Sequence, residues 1–243
     1  MKKRPCCFLL FSLGAKLSMT AAQLFFGLFS GSLSLIADGM HNLTDAGSII
    51  IALITQRIAG KKPNNWMTYG YQRAEILGIL INSTVLITIG FTLVFTATKR
   101  LFIGSELIDA ELVLWVAVFA FCLDAVSAFF SYIAGAKNNL NIKAVFLHNL
   151  ADTLTSLAVI ISAIVMLIWH INGVDVIATL FISGFIIFQG FNLLKKSIKI
   201  IMQATPAEVD LGKLKSDLLA IEGVYSVEKV HVWQLDDSII CFE

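Results

Sequence analysis

Two short stretches of this chain carry the same arrangement of metal-binding side chains. His41-Asn42-Leu43-Thr44-Asp45 and His148-Asn149-Leu150-Ala151-Asp152 each place a histidine four residues before an aspartate. On a helix, positions i and i+4 share a face, with Cβ atoms roughly 5–6 Å apart. Each stretch therefore offers one imidazole and one carboxylate to a common point. Two such helices side by side supply two nitrogens and two oxygens, a tetrahedral set suited to zinc. Imidazole with carboxylate suits zinc, cadmium or cobalt better than the all-oxygen shells that magnesium and calcium prefer. A lone histidine in an apolar helix is more often a packing residue than a ligand. Nothing structural demands the same spacing twice, so His41, Asp45, His148 and Asp152 are expected to form a metal or proton site, and their ligand types favour a divalent metal.

The elements that hold these motifs must lie in lipid. Hydrophobic residues make up 57% of the chain and charged residues only 14%, against about a quarter charged in a soluble domain. Six segments are long and apolar enough to span a bilayer at roughly 20 residues each. They run approximately over 6–29, 33–58, 71–98, 112–134, 144–168 and 174–194. The apolar run after Lys2, Lys3 and Arg4 is too long for a signal-peptide core and has no A-x-A site, so it reads as a retained first helix. Both motifs thus fall inside spanning helices, the second and the fifth.

Basic residues set the orientation. Lys2, Lys3, Arg4, Arg57, Lys61, Lys62, Arg73, Lys137, Lys143, Lys195, Lys196 and Lys199 mark one side, while the other has only Lys99 and Arg100. The positive-inside rule then places both termini in the cytoplasm. Beyond Met202, Thr205-Pro206 breaks the last helix, a helix is expected over 208–221, and strands over 227–235 and from 238. The expected fold is an all-α membrane protein of six transmembrane helices over 1–202. A truncated α/β cytoplasmic domain follows over 203–243.

Other polar residues in the apolar runs also need a reason, since an ionisable group at mid-bilayer costs roughly 2.5–3.5 kcal/mol on insertion scales. Asp38 precedes His41 by three residues and reads either as a proton or entry group beside the site or as a solvated helix end. Asp124 either pairs with Lys16 or lines the cavity. Arg73 and Glu75 read as a helix-mouth pair, and His170 as an interfacial residue beside Trp169. Gly27, Gly31, Gly39 and Gly47 are expected to let neighbours pack closely on the second helix. Cys6, Cys7, Cys122 and Cys241 form no CxxC and read as packing residues. The net charge of +1 gives no sign of a nucleic-acid partner.

The chain resembles the cation diffusion facilitator family. The resemblance rests on residues 31–38, Gly-Ser-Leu-Ser-Leu-Ile-Ala-Asp, leading into His41 and Asp45. It also rests on residues 69–77, on His148 with Asp152, and on His231-Val232-Trp233. It implies a homodimeric zinc transporter that exchanges cytoplasmic zinc for protons, embedded in membrane lipid. The histidine of the second-helix pair looks like the zinc-preferring branch. The connection over 136–143 is short and has no histidine, which resembles bacterial inner-membrane members more than vesicular ones. The closing segment is similar to the first half of the family's metallochaperone-like domain, where His231 would be a regulatory ligand.

Ligand chemistry suggests the mechanism. Ligating imidazoles must be neutral and carboxylates ionised, so metal arrival expels protons and protonation favours release. Two other readings use the same residues: an intramembrane metal-dependent enzyme and a metal sensor. No nucleophile motif accompanies the ligands, so an enzyme is not expected.

Overall fold

A computed structural model describes residues 4–103, 107–133, 140–236 and 239–243, the side chains of 4–13, 15 and 140–145 excepted. Lys2, Lys3, Lys137, residues 104–106 and Ser238 lie outside the described residues, as do the side chains of Arg4, Cys6, Cys7 and Lys143.

Among the described residues six long helices come first: α1 (Arg4–Ser30), α2 (Leu33–Ala59), α3 (Ala74–Ile103), α4 (Ala110–Ile133), α5 (Leu140–Trp169) and α6 (Gly173–Ile201). Among the described residues, four stretches are long and apolar enough to cross a membrane: α3, α4, residues 146–169 of α5, and α6. After them come a short helix, α7 (Leu211–Leu219), and two strands, β1 (Val232–Gln234) and β2 (Ile240–Phe242). The strands pair antiparallel, with Val232 opposite Phe242 and Trp233 opposite Cys241.

The chain forms two compact units, residues 1–47 with 85–189, and residues 48–84 with 190–243. The first unit buries many polar side chains and exposes large apolar ones. Gln23, Ser34, Asp38, His41, Asp124, Asp152, Ser156 and Asp175 are buried, while Phe29, Phe95, Trp115, Phe119 and Phe181 are exposed. In water that arrangement would forfeit the main driving force for folding. In lipid it is the favoured one, because only the interior must satisfy polar groups.

The boundaries show what local chemistry adds to hydrophobic pattern. Gly31 turns the chain between α1 and α2 at φ +74°, a left-handed conformation that favours glycine. Tyr71, expected to open the third helix, instead belongs to a turn that leads into Ala74. There Ala74 N donates to Tyr71 O at 2.9 Å and Glu75 N to Gln72 O at 3.3 Å. The sixth helix outruns its apolar stretch and continues through Lys195, Lys196 and Lys199 to Ile201. It ends on a left-handed Gln203 (φ +56°), with Ala204 N bonded to Lys199 O and Gln203 N to Ile200 O. That pair of bonds is the Schellman termination, so the helix has already stopped before Pro206.

Further along, Asp210 caps α7 by accepting from Gly212 N and Lys213 N, which shortens the helix expected over 208–221. The strand expected over 227–235 is reduced to the three residues that find a partner in β2.

Asp175, in the first turn of α6, is wholly buried against the start of α2. Its carboxylate accepts from Leu33 N at 2.8 Å, Ser34 N at 3.2 Å, Ser32 Oγ at 2.7 Å and Ser34 Oγ at 2.6 Å. Backbone donors at a helix start have no partner within the helix. Here a neighbouring helix provides one. Arg100 joins the cluster, with Nη1 3.8 Å from Asp175 and donating to Gly31 O.

Candidate metal centre

His41 and Asp45 sit on successive turns of α2, and His148 and Asp152 on successive turns of α5. The structure brings all four together. His41 Nε2 lies 3.4 Å from Asp152 Oδ1 and 3.8 Å from Asp45 Oδ2. His148 Nε2 lies 3.5 Å from Asp45 Oδ2 and 3.7 Å from Asp152 Oδ2. Every imidazole therefore approaches both carboxylates, its own helix's and the other's. Zinc bonds to N and O run about 2.0–2.2 Å, which at a tetrahedral angle sets ligand atoms ~3.4 Å apart. The observed spacing is close to that.

Three buried polar atoms at the centre lack hydrogen bonds. Neither ring nitrogen of His41 makes a hydrogen bond, nor does Asp152 Oδ1, although all three are buried. Such orphaned groups are rare in folded proteins and ask for an explanation such as an ion. One ligand atom each from His41, Asp45 and Asp152 lies within 4.8 Å of the others. His148 is the more exposed member, its side chain 41% accessible against 0% for His41. The cluster thus has a closed side and an open one.

The asparagine after each histidine fixes the helix that carries it. Asn42 Nδ2 donates to Gln23 Oε1 on α1 at 3.0 Å, and Asn149 Nδ2 donates to Ser131 Oγ on α4 at 3.0 Å. Phe185 of α6 meets the His41 ring edge-on at a centroid distance of 6.4 Å.

A polar network underlies the centre. Asp38 is wholly buried; its Oδ2 accepts from Gln23 Nε2 at 2.6 Å and its Oδ1 from Thr155 Oγ1 at 3.0 Å. Ser156 Oγ lies 3.1 Å from both Asp38 Oδ2 and Asp124 Oδ2. With one hydrogen, that hydroxyl serves one carboxylate at a time. Asp38 is thus a buried network member and not a solvated helix end. Lys16 pairs with Asp152, its Nζ 3.1 Å from Oδ2, so of the two readings of Asp124 the ion pair with Lys16 is not the one observed.

Gln23, Thr155 and Ser156 were not singled out by sequence reasoning. Gln23 gave a signal, an amide in an apolar run. Thr155 and Ser156 follow Asp152 by three and four residues, the spacing that shares its helical face.

Two other expectations, for Gly47 and Cys122, are corrected. Gly47 has open space where a Cβ would stand, so it does not serve close packing; Gly27 and Gly39 do, against Ile36 and against Gln23 with Leu24. Cys122 is exposed on α4, so it is not an internal packing residue. His231 is exposed beside β1 and exchanges two backbone hydrogen bonds with Glu243. His170 ends α5 in a left-handed turn, φ 53°.

The family model described as the cation efflux transmembrane domain matches residues 9–202. The chain is 30% identical over 214 residues to the "Cadmium, cobalt and zinc/H(+)-K(+) antiporter" of Bacillus subtilis (strain 168), covering 88% of this chain and 68% of that one. It is 32% identical over 218 residues to the "Zinc transporter ZitB" of Pectobacterium atrosepticum, covering 89% and 68%. With the "Zinc transporter ZitB" of Escherichia coli (strain K12) the identity is 27% over 231 residues, covering 95% and 74%. On the extent of the family match and the membrane-length apolar helices, this chain belongs to the cation efflux family of integral membrane transporters, the family that its two His-x-x-x-Asp motifs resemble.

Proposed function

We propose that this protein exports zinc from the cytoplasm in exchange for protons, with His41, Asp45, His148 and Asp152 as the ligands of the transported ion. The carrying observation is the four imidazole–carboxylate approaches at 3.4–3.8 Å, with buried atoms of His41 and Asp152 left without hydrogen bonds. The names of the relatives support zinc as substrate and a proton as counter-ion, with cadmium and cobalt as further substrates. Transport, not catalysis, is the activity of the family.

In this reading all six long helices cross the bilayer, residues 1–202 form the transport domain, and both termini face the cytoplasm. Residues 203–243 belong to a cytoplasmic domain, and the protein works as a homodimer in a bacterial inner membrane. Protons that reach the imidazoles and carboxylates from outside displace the ion. Metal that arrives from the cytoplasm expels protons in turn. Alternating access to one site then converts a proton gradient into zinc efflux.

Zinc binding to the detergent-purified protein, read by competition with a fluorescent chelator, tests the ligand set. Alanine at any of the four positions should weaken binding beyond the roughly 10–100-fold typical of losing an outer partner. Unchanged affinity in two of the four variants would refute the assignment.

A further inference from the structure

Lys16 puts an ammonium on α1, its side chain 23% exposed, and that ammonium pairs with the buried Asp152. The oxygen it holds, Oδ2, is also the one 3.7 Å from His148 Nε2. The ammonium thus occupies an oxygen that faces the metal cluster. A divalent ion bound among the four side chains would stand a few ångströms from that ammonium. In a poorly screened interior such repulsion is severe.

Asp124 offers another seat. It is buried on α4, a helix that packs against both α1 and α5. Lys16 lies within electrostatic reach of Asp152, Asp124 and Asp45. Asp124 accepts from Ser156 Oγ, and the same hydroxyl is equally close to Asp38 Oδ2. Ser156 can therefore turn to Asp38 and leave Asp124 to the ammonium without losing its own hydrogen bond.

We propose that Lys16 is a tethered counter-cation of the metal site, held by Asp152 when the site is empty and displaced to Asp124 when a divalent cation binds. The proposal rests on the ligand reading given above. It makes Lys16 a competitor for the ion, one that lowers affinity and keeps the emptied site from exposing an uncompensated carboxylate. The charge moves within the bundle, and no proton need be gained or lost.

Zinc dissociation constants of the full chain in lipid nanodiscs test this. Lys16→Met should bind zinc on the order of tenfold more tightly, the scale of a close charge interaction. Lys16→Arg, which keeps the charge, should stay near the wild type. Asp124→Asn should weaken binding by removing the second seat, and this effect should vanish in the Lys16→Met background. Wild-type or weaker affinity in Lys16→Met overturns the proposal, as does an equal Asp124→Asn effect in both backgrounds. Asp152→Asn separates the two readings. If it abolishes binding while Lys16→Met changes nothing, only the Lys16 proposal falls. If Asp152→Asn binds like the wild type, the ligand reading falls and this proposal with it.

Discussion

Asp175 caps a helix other than its own: from the first turn of α6 it accepts the backbone N–H groups of Leu33 and Ser34 at the start of α2. The helix it steadies carries His41 and Asp45 roughly two and three turns further on. A membrane interior provides no water to replace these bonds.

Asp175→Ala should therefore destabilise the protein by about 3 kcal/mol or more, the scale of breaking a buried charged contact. Asp175→Asn keeps one acceptor oxygen and should fall between. Thermal unfolding in detergent gives the order wild type, asparagine, alanine. Equal melting temperatures would mean that α2 is held by its other neighbours.

Glycines along α1 and α2 should differ sharply. A Cβ at Gly27 would stand 2.8 Å from Ile36 Cγ1 and 3.2 Å from Ile36 N. Gly27→Ala should cost about 1–3 kcal/mol through overpacking. A Cβ at Gly47 meets nothing within 4 Å, so Gly47→Ala should be neutral or stabilising by up to ~1 kcal/mol, as in a helix interior. The same unfolding assay ranks the two.

Zinc affinity should fall with acid. Free imidazole gains its proton near pH ~6.5 and carboxyls lower still, and each must shed it to bind metal. The sign follows: lowering pH loads protons on the ligands and weakens zinc, raising pH strengthens it. With two imidazoles to deprotonate, the apparent constant should weaken steadily as the pH falls. A chelator-competition titration from neutral to mildly acid pH checks the slope; a flat profile would exclude proton–metal exchange at these residues.

The pairing of His41 with Asp45 and of His148 with Asp152 was legible because helical geometry converts a four-residue spacing into a shared face. The helices themselves were legible because lipid demands long apolar runs. What decides their ends was less so. Hydrophobicity stops at Leu194, whereas backbone hydrogen bonding continues to the Schellman turn at Gln203. The network beneath the centre was hidden for another reason. Gln23, Asp38, Asp124 and Ser156 come from four helices, and their meeting depends on packing that no local spacing encodes. Lys16 shows the same limit: its charge was visible, but the choice of Asp152 over Asp124 was not.

The most direct measurement is zinc uptake into proteoliposomes with an imposed pH gradient, comparing the wild type with Asp152→Ala. The account predicts gradient-driven uptake in the wild type, dissipated by a protonophore and absent in the variant. Uptake that ignores the gradient, or that survives Asp152→Ala unchanged, would contradict it.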